Sequence, residues 1–323
     1  MGSHQISYGC GLLWDAGPLG FEMNGVTGKP PGELLEVVAA LPQKAAVMVD
    51  FDGTLSAIVE DPSAAIPQEG AIRTLMRLAA CFSKVAVVSG RPVGFLLSHF
   101  DLRAFPPTFS LIGLYGLERA IWPAGDSPSQ ASLEVSGSAG TKAGPVIVVE
   151  EGAELWRQRI EDAAQRIGVE VPAGVLLESK GLALTFHWRQ ADDPLQAQRW
   201  VWAEAAELSR LFGLEILNGK KAVELRPPLR VDKGTALLSM GRGLRAVCYL
   251  GDDLGDLKAF DALDELTREG EITMKVAVGG REAPPELLAR ADVVVEGPVG
   301  AVKFLEVLAD AAESACGDEN GCQ

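Results

Sequence analysis

The chain lacks the features that would mark it for a membrane, for nucleic acid or for an oxidising compartment. No apolar run approaches the length needed to span a bilayer. The N-terminus has no charged stretch followed by an apolar one, so no secretory leader is expected. Positive charge is scarce: 29 Lys and Arg stand against 44 Asp and Glu, a net charge of −15. Such a field repels nucleic acid and anionic lipid, so neither is expected as a partner. It also opposes an anionic substrate, so a phosphate-handling site would need local cations or a metal. The five cysteines, at positions 10, 81, 248, 316 and 322, show no metal-type pair spacing. Their odd number, and the apolar surroundings of Cys81 and Cys248, read as free buried thiols in a reducing, cytoplasmic setting. Internal repeats and low-complexity tracts are absent.

What is present is the composition of a protein with real cores: 47% apolar and 23% charged residues. A length of 323 residues suits one large or two ordinary domains. Residues 1–33 are glycine-rich without periodicity and read as an irregular extension. They leave no room for a synthase domain ahead of the core, so none is expected. A short amphipathic helix follows over Glu33–Leu41. Then comes a strand–helix alternation. Buried strands are expected at Ala45–Val49, Lys84–Val88, Phe109–Gly113, Ala246–Leu250, Met274–Val278 and Asp292–Val295. Gly116–Trp122 either prolongs the third of these or pairs beside it. Helices are expected over Gly70–Phe82, Leu254–Leu263, Pro284–Ala291 and Gly300–Ala312. Short, almost purely apolar strands between helices imply a parallel sheet covered on both faces.

A different texture interrupts this pattern. Residues 123–145 are rich in Gly, Ser, Ala and Pro and read as a linker. After them the expected order is helix 151–167, strands 175–179 and 183–189, helix 193–212, and a hairpin of 214–217 with 222–225 turning at Asn218-Gly219. The predicted fold is therefore α/β: a Rossmann-like parallel-sheet core, residues 34–121 and 227–314, with an inserted smaller α/β cap domain, residues 122–226. Residues 315–323 form a C-terminal tail.

The chemistry-bearing residues fall at the ends of core strands, where a parallel sheet presents its ligand crevice. Asp50, Asp52 and Thr54 follow the first strand, and Ser89 and Gly90 the second. Asp252, Asp253 and Asp256 follow the fourth, and Lys233 lies where the chain re-enters the core. Asp50 and Asp52 start on one face because a strand has a side-chain period of two. One can attack while the other moves a proton. A phosphomonoester dianion repels such a nucleophile, and a divalent metal with a fixed lysine offsets the repulsion. Mg2+ favours oxygen ligands. Asp50 and Asp252 can supply them, with the Asp52 main-chain carbonyl as a third. The Ser89 hydroxyl and the N–H groups near Gly53 and Gly90 can hold phosphate oxygens.

The sequence Asp50-Phe51-Asp52-Gly53-Thr54-Leu55, with Ser89-Gly90-Arg91, Lys233-Gly234 and Gly251-Asp252-Asp253, resembles the haloacid dehalogenase superfamily of phosphatases over about residues 45–310. The intervening segment is similar to that superfamily's mixed α/β cap. Pro62 and Ala65, Glu178-Ser179-Lys180, His187-Trp188-Arg189 and Glu224-Leu225-Arg226-Pro227 narrow the resemblance to the trehalose-6-phosphate phosphatases. The resemblance implies a Mg2+ enzyme that hydrolyses trehalose 6-phosphate through an aspartyl-phosphate on Asp50. Asp52, kept protonated by nearby negative charge, would be acid and then base. Lys233, Thr54, Ser89 and Gly90 would hold the phosphoryl group. Glu178, Lys180, Arg189 and Glu224 of the cap would contact the sugar, and Arg91 and Glu118 fall in matching motifs as further substrate contacts. His187 is open between a substrate contact and a structural histidine. His99, Trp200 and Trp202 read as packing. The expected partner is a small sugar phosphate, and the expected state a monomer.

The pattern departs from the family at three positions. Tyr115 stands where a histidine is expected near the substrate. Gly255 and Leu257 stand where Thr and Glu are expected beside the metal-side aspartates. Two alternatives stay open: a phosphatase of another glycosyl phosphate, such as sucrose phosphate or a glycosylglycerate phosphate, and a non-catalytic sugar-phosphate sensor.

Overall fold

The structure, a computed structural model, describes residues 22–23, 31–59, 61–122, 145–167, 171–280 and 283–319. Its larger sheet is built around the strand Ala45–Val49, whose five residues are all buried. Ala45–Val49 pairs in parallel with Ala246–Gly251 on one side and Lys84–Val88 on the other. Beyond these lie Ile272–Gly279 and Val293–Glu296 in one direction and Phe109–Gly113 in the other, all parallel. The chain thus lays its first core strand in the middle, builds one flank, and returns to build the other. The C-terminal end of Ala45–Val49 is the point where the order reverses, and a crevice opens there.

Period-two alternation splits the core between the two faces of this sheet. Val47, Val49, Val85 and Val87 pack under the helices Pro31–Ala39, Ala71–Cys81 and Gly297–Glu319. Ala46, Met48, Ala86 and Val88 pack under Lys233–Gly241 and Leu257–Glu269. Both faces need apolar cover, which is why these strands read as unbroken apolar runs rather than alternating ones.

The sheet is longer than the sequence suggests. Glu118–Ile121 pairs antiparallel beside Phe109–Gly113, which decides the reading of Gly116–Trp122. Val146–Val149 then adds antiparallel to Glu118–Ile121, so this stretch belongs to the large sheet. Glu22–Met23 adds antiparallel at the other edge, within the segment expected to be irregular. The last helix, Gly297–Glu319, runs past the expected end and into the expected tail. The remainder of the N-terminal extension and nearly all of the linker at 123–145 lie outside the described residues.

A second sheet has the order Leu176–Ser179, Leu184–His187, Ala222–Arg226, Glu215–Gly219, all antiparallel. One face packs on the helices Arg157–Arg166 and Pro194–Phe212 through Leu184, Phe186, Val223 and Leu225. Trp200 meets Phe186 edge-on in this core, as packing predicts. The hairpin turn is not Asn218-Gly219. Gly219 pairs with Ala222, so the two-residue loop is Lys220-Lys221, with Lys221 at φ 51°. The register that buries Val223 and Leu225 against the helices decides this over local turn preference. No helix is long and apolar enough to cross a membrane, among the described residues.

Leu305 is fully buried on the helix Gly297–Glu319, whereas Val299 on the same helix is 51% exposed. Leu305→Ala is expected to cost about 2–5 kcal/mol in urea denaturation. Val299→Ala is expected to stay within about 0.5 kcal/mol of wild type.

Candidate active site

The crevice at the switch point holds a buried carboxylate cluster with an ammonium in its middle. Asp50 continues directly from Ala45–Val49, and its N–H donates to the Leu250 carbonyl at 2.9 Å. Lys233 is the first residue of the helix Lys233–Gly241, which a reciprocal cap between Asp232 and Thr235 starts. Its Nζ lies 3.0 Å from Asp50 Oδ1 and 2.7 Å from Asp256 Oδ1. Asp256 also accepts the Tyr249 hydroxyl at 2.6 Å and the N–H groups of Asp252 and Asp253 at 2.8 and 2.9 Å. Both of its oxygens are therefore engaged, and it positions the other groups. Thr54 is buried, its hydroxyl 3.4 Å from Asp252 Oδ1. Gly53 has φ 80°, and a Cβ there would run into the Asp252 carboxylate. Only glycine allows the first-strand turn and the fourth-strand aspartate to approach this closely.

Burial raises the Asp50 carboxyl well above its usual range, Lys233 lowers it, and Asp256, Asp252 and Asp253 add to the rise. Burial likewise opposes the charge on Lys233, but Asp256 and Asp50 outweigh it and hold its pKa well above the usual value. Asp252 is pushed up to about 7, by burial first and then by Asp256, against Lys220. This cluster carries more negative charge than its two lysines neutralise. One oxygen each of Asp50, Asp252 and Asp256 lies within 4.8 Å of the others. Hard oxygen donors, uncompensated in a buried site, suit a divalent cation. Asp50 and Asp252 fit as its ligands better than Asp256, whose two oxygens together accept four hydrogen bonds, two of them from backbone N–H groups.

Asp52 is placed differently. The Arg91 guanidinium forks onto it, Nε to Oδ2 and Nη2 to Oδ1, both at 2.7 Å. The expected partner of Asp52 was negative charge. The structure instead pairs its side chain with the Arg91 cation, at the floor of the same pocket. Acid duty for Asp52 requires that fork to open.

The polar face of the smaller sheet lies over this crevice. Glu178, Thr185 and Glu224 stand in register across three strands, on the face opposite the apolar core. Lys180 Nζ is 2.7 Å from Glu224 Oε2 and 3.9 Å from Glu178 Oε2. His187 Nε2 is 2.9 Å from Glu178 Oε2. Despite the cost of burial, His187 and Lys180 hold the Glu178 carboxyl below its usual value. One pocket is lined by Asp50, Asp52, Ser89, Gly90, Arg91 and Lys233 from below. Glu178, Lys180, His187 and Arg189 line it from above, and Asp252 lies at one side. Glu224 sits behind Lys180.

Glu118 is placed elsewhere. Its carboxylate accepts the Val93 N–H at 2.9 Å and so caps the helix Val93–Leu97. That buried bond is the partner the structure gives it, and Glu118 is not among the residues lining the pocket described above. His99 stacks at 6.0 Å on Phe51, as a structural histidine does. Sequence reasoning missed Lys220, whose Nζ reaches Asp252 Oδ2 at 2.9 Å from the shifted hairpin turn. Only the strand register reveals it. Tyr249, inside an apolar strand, gave no signal either.

A parallel-sheet core with an aspartate–lysine cluster at its switch point, faced by the polar side of a smaller antiparallel sheet, defines a core-and-cap α/β protein. The model of the trehalose-phosphatase family matches residues 48–285, and the chain belongs to that family. It is 33% identical over 277 residues to a trehalose-phosphate phosphatase of Mycobacterium avium, covering 83% of this chain and 63% of that one. It is 36% identical over 232 residues to an uncharacterized glycosyl hydrolase of Mycobacterium tuberculosis, covering 68% of this chain and 15% of that one. The chain thus spans less than two thirds of either relative. Its fold is similar to the Candida albicans trehalose-6-phosphate phosphatase C-terminal domain, with a TM-score of 0.63 at 23% identity over 86% of this chain and 96% of that one.

A carboxyl whose folded pKa stands above its unfolded value keeps its proton longer in the folded state. Stability is then lost as pH rises between the two, here from about 4 to about 7 for Asp252. A divalent cation replaces that proton and removes the loss. The melting temperature is therefore expected to rise more on adding a divalent chloride at pH 8 than at pH 5. Equal shifts at both pH values would contradict this charge balance.

Proposed function

We propose that the chain is a Mg2+-dependent phosphatase releasing phosphate from trehalose 6-phosphate. The observation behind it is the placement of Asp50 beside Lys233 and Asp252, directly beneath the Glu178, Lys180 and Arg189 face of the second sheet. Asp50 attacks phosphorus and becomes an aspartyl-phosphate. The bond to the sugar oxygen breaks, and that oxygen takes a proton from Asp52 once Arg91 has released it. Asp52 then removes a proton from the water that hydrolyses the intermediate. Lys233, the Ser89 hydroxyl and the N–H groups at Gly53 and Gly90 orient the phosphoryl oxygens. Asp50 and Asp252, with the Asp52 carbonyl, would hold Mg2+, and the bound ion would supply the charge that lets a carboxylate approach a dianion. Residues 122–226 act as the cap, except that strand Val146–Val149 goes with the core sheet.

In this reading Glu178, Lys180, Arg189 and Glu224 recognise the sugar. A polyol both donates and accepts hydrogen bonds, and alternating carboxylates and cations meet both needs. Arg91 orients Asp52, and Glu118 supports the loop that carries Arg91.

Asp50→Asn is expected to lower phosphate release roughly 10³-fold or more while the protein stays folded. Turnover near the wild-type rate would refute the nucleophile. On a panel of sugar phosphates assayed with and without Mg2+, trehalose 6-phosphate is expected to give the highest kcat/KM, only with the metal. A higher value for sucrose phosphate or a glycosylglycerate phosphate would move the substrate. Tight binding without turnover would make the chain a sensor.

A further inference from the structure

Two thiols meet where a pair of helices packs on one face of the large sheet. Ala71–Cys81 and Gly297–Glu319 lie side by side and run in the same direction. A Cβ at Gly70, just ahead of the first helix, would meet Glu306 and Val302. Further along, Arg73 lies 3.7 Å from Glu306. Further still, Arg77 Nη2 reaches Asp310 at 2.5 Å and Glu313 at 2.6 Å, across offsets of 233 and 236 residues. The same offset carried one turn beyond Arg77 brings Cys316 opposite Cys81.

Both residues carry thiols. Cys81, the last residue of its helix, is buried in the core of this face, and Cys316 packs half-buried against the same core. Burial first, and then the charge and hydrogen bond of the Cys316 thiol, push the Cys81 thiol up to about 11. Cys81 is therefore inert toward reagents in solution, while its neighbour is both nearer the surface and within its reach. Only Phe82 and Ser83 separate Cys81 from the strand Lys84–Val88, so the pair stands at the end of the sheet opposite the crevice. Neither thiol has a part in the chemistry proposed there.

We propose that Cys81 and Cys316 are an oxidation site, forming a reversible disulfide that staples the last helix to the core when a small-molecule disulfide such as oxidised glutathione is present. Cys316 reacts first. Its sulfur attacks the glutathione disulfide, that S–S bond breaks, and one glutathione leaves with the Cys316 proton. The Cys81 sulfur then attacks the Cys316 sulfur, the mixed disulfide breaks, and the second glutathione leaves with the Cys81 proton. Two protein thiols are oxidised and one glutathione disulfide is reduced to two thiols. Contact between the partners makes the second step intramolecular, which offsets the low reactivity of Cys81. The bond closes a loop over most of the chain, and such cross-links constrain the unfolded state most. It also fixes the helix that covers Val47, Val49, Val85 and Val87.

The test uses the full chain, first reduced, then incubated with oxidised glutathione and digested without reductant. Mass spectrometry is expected to find a peptide pair joining Cys81 to Cys316, released by dithiothreitol. The melting temperature of the oxidised protein is expected to rise by about 5–10 °C and to return on reduction. Cys10 and Cys322, outside the described residues, are the competing partners. The double variant Cys10→Ser, Cys322→Ser should keep both results, and Cys316→Ala should lose both. A bond mapped to Cys316 and Cys322, or glutathione left on Cys316 with no link to Cys81, overturns the proposal. So does a mapped Cys81–Cys316 bond that leaves the melting temperature unchanged. Neither readout uses turnover, so the outcome is independent of the phosphatase reading.

Discussion

The Lys233 ammonium is the one interaction on which the site depends. It sits buried between Asp50 and Asp256, with Asp252 and Asp253 close by. Leaving such carboxylates without their cation costs on the order of 3–5 kcal/mol. Even so, the lysine does not balance the charge. Burial and mutual repulsion still push Asp50 and Asp252 upward. An anionic substrate could not enter a cluster in this state unaided, and a chain of net charge −15 makes its approach harder. The structure's charge deficit is thus the physical ground for a metal. It also explains why Lys220 is drawn to Asp252 from the cap hairpin.

Topology decides what that cluster faces. The central strand Ala45–Val49 ends where the sheet order reverses, and every strand needed for the site ends on that side. Above it, the small sheet turns its apolar residues to its own helices. Period two then leaves Glu178, Thr185, His187 and Glu224 on the other face, toward the core. A polar face turned toward the crevice follows from how a two-layer α/β unit must bury itself. Across the seam between the two sheets, Lys220 reaches Asp252 and Arg226 lies over the Tyr115 ring.

Much of this was legible in the sequence. Strands at 45–49, 84–88 and 109–113 were readable because residues buried on both faces give unbroken apolar runs. The motifs around Asp50, Ser89, Lys233 and Asp252 stood at the ends of such runs. Val146–Val149 was not readable, because a four-residue strand at a sheet edge carries little pattern and adds only through its partner. Glu118 carried a motif position, but its bond to the Val93 N–H is a contact over 25 residues that no spacing reveals.

By itself the sequence determined the α/β class, the order of elements and which acids and bases stand at strand ends. Local pattern suffices for these, because burial on one or both faces writes a period into the chain. The tertiary structure alone decided the pairings. It gave Asp52 to Arg91, saturated Asp256 with donors, moved the hairpin turn onto Lys220-Lys221 and bonded Glu118 to the Val93 N–H. Those outcomes depend on register, crossover and charge brought together from distant parts of the chain, and such contacts leave no trace in any one segment.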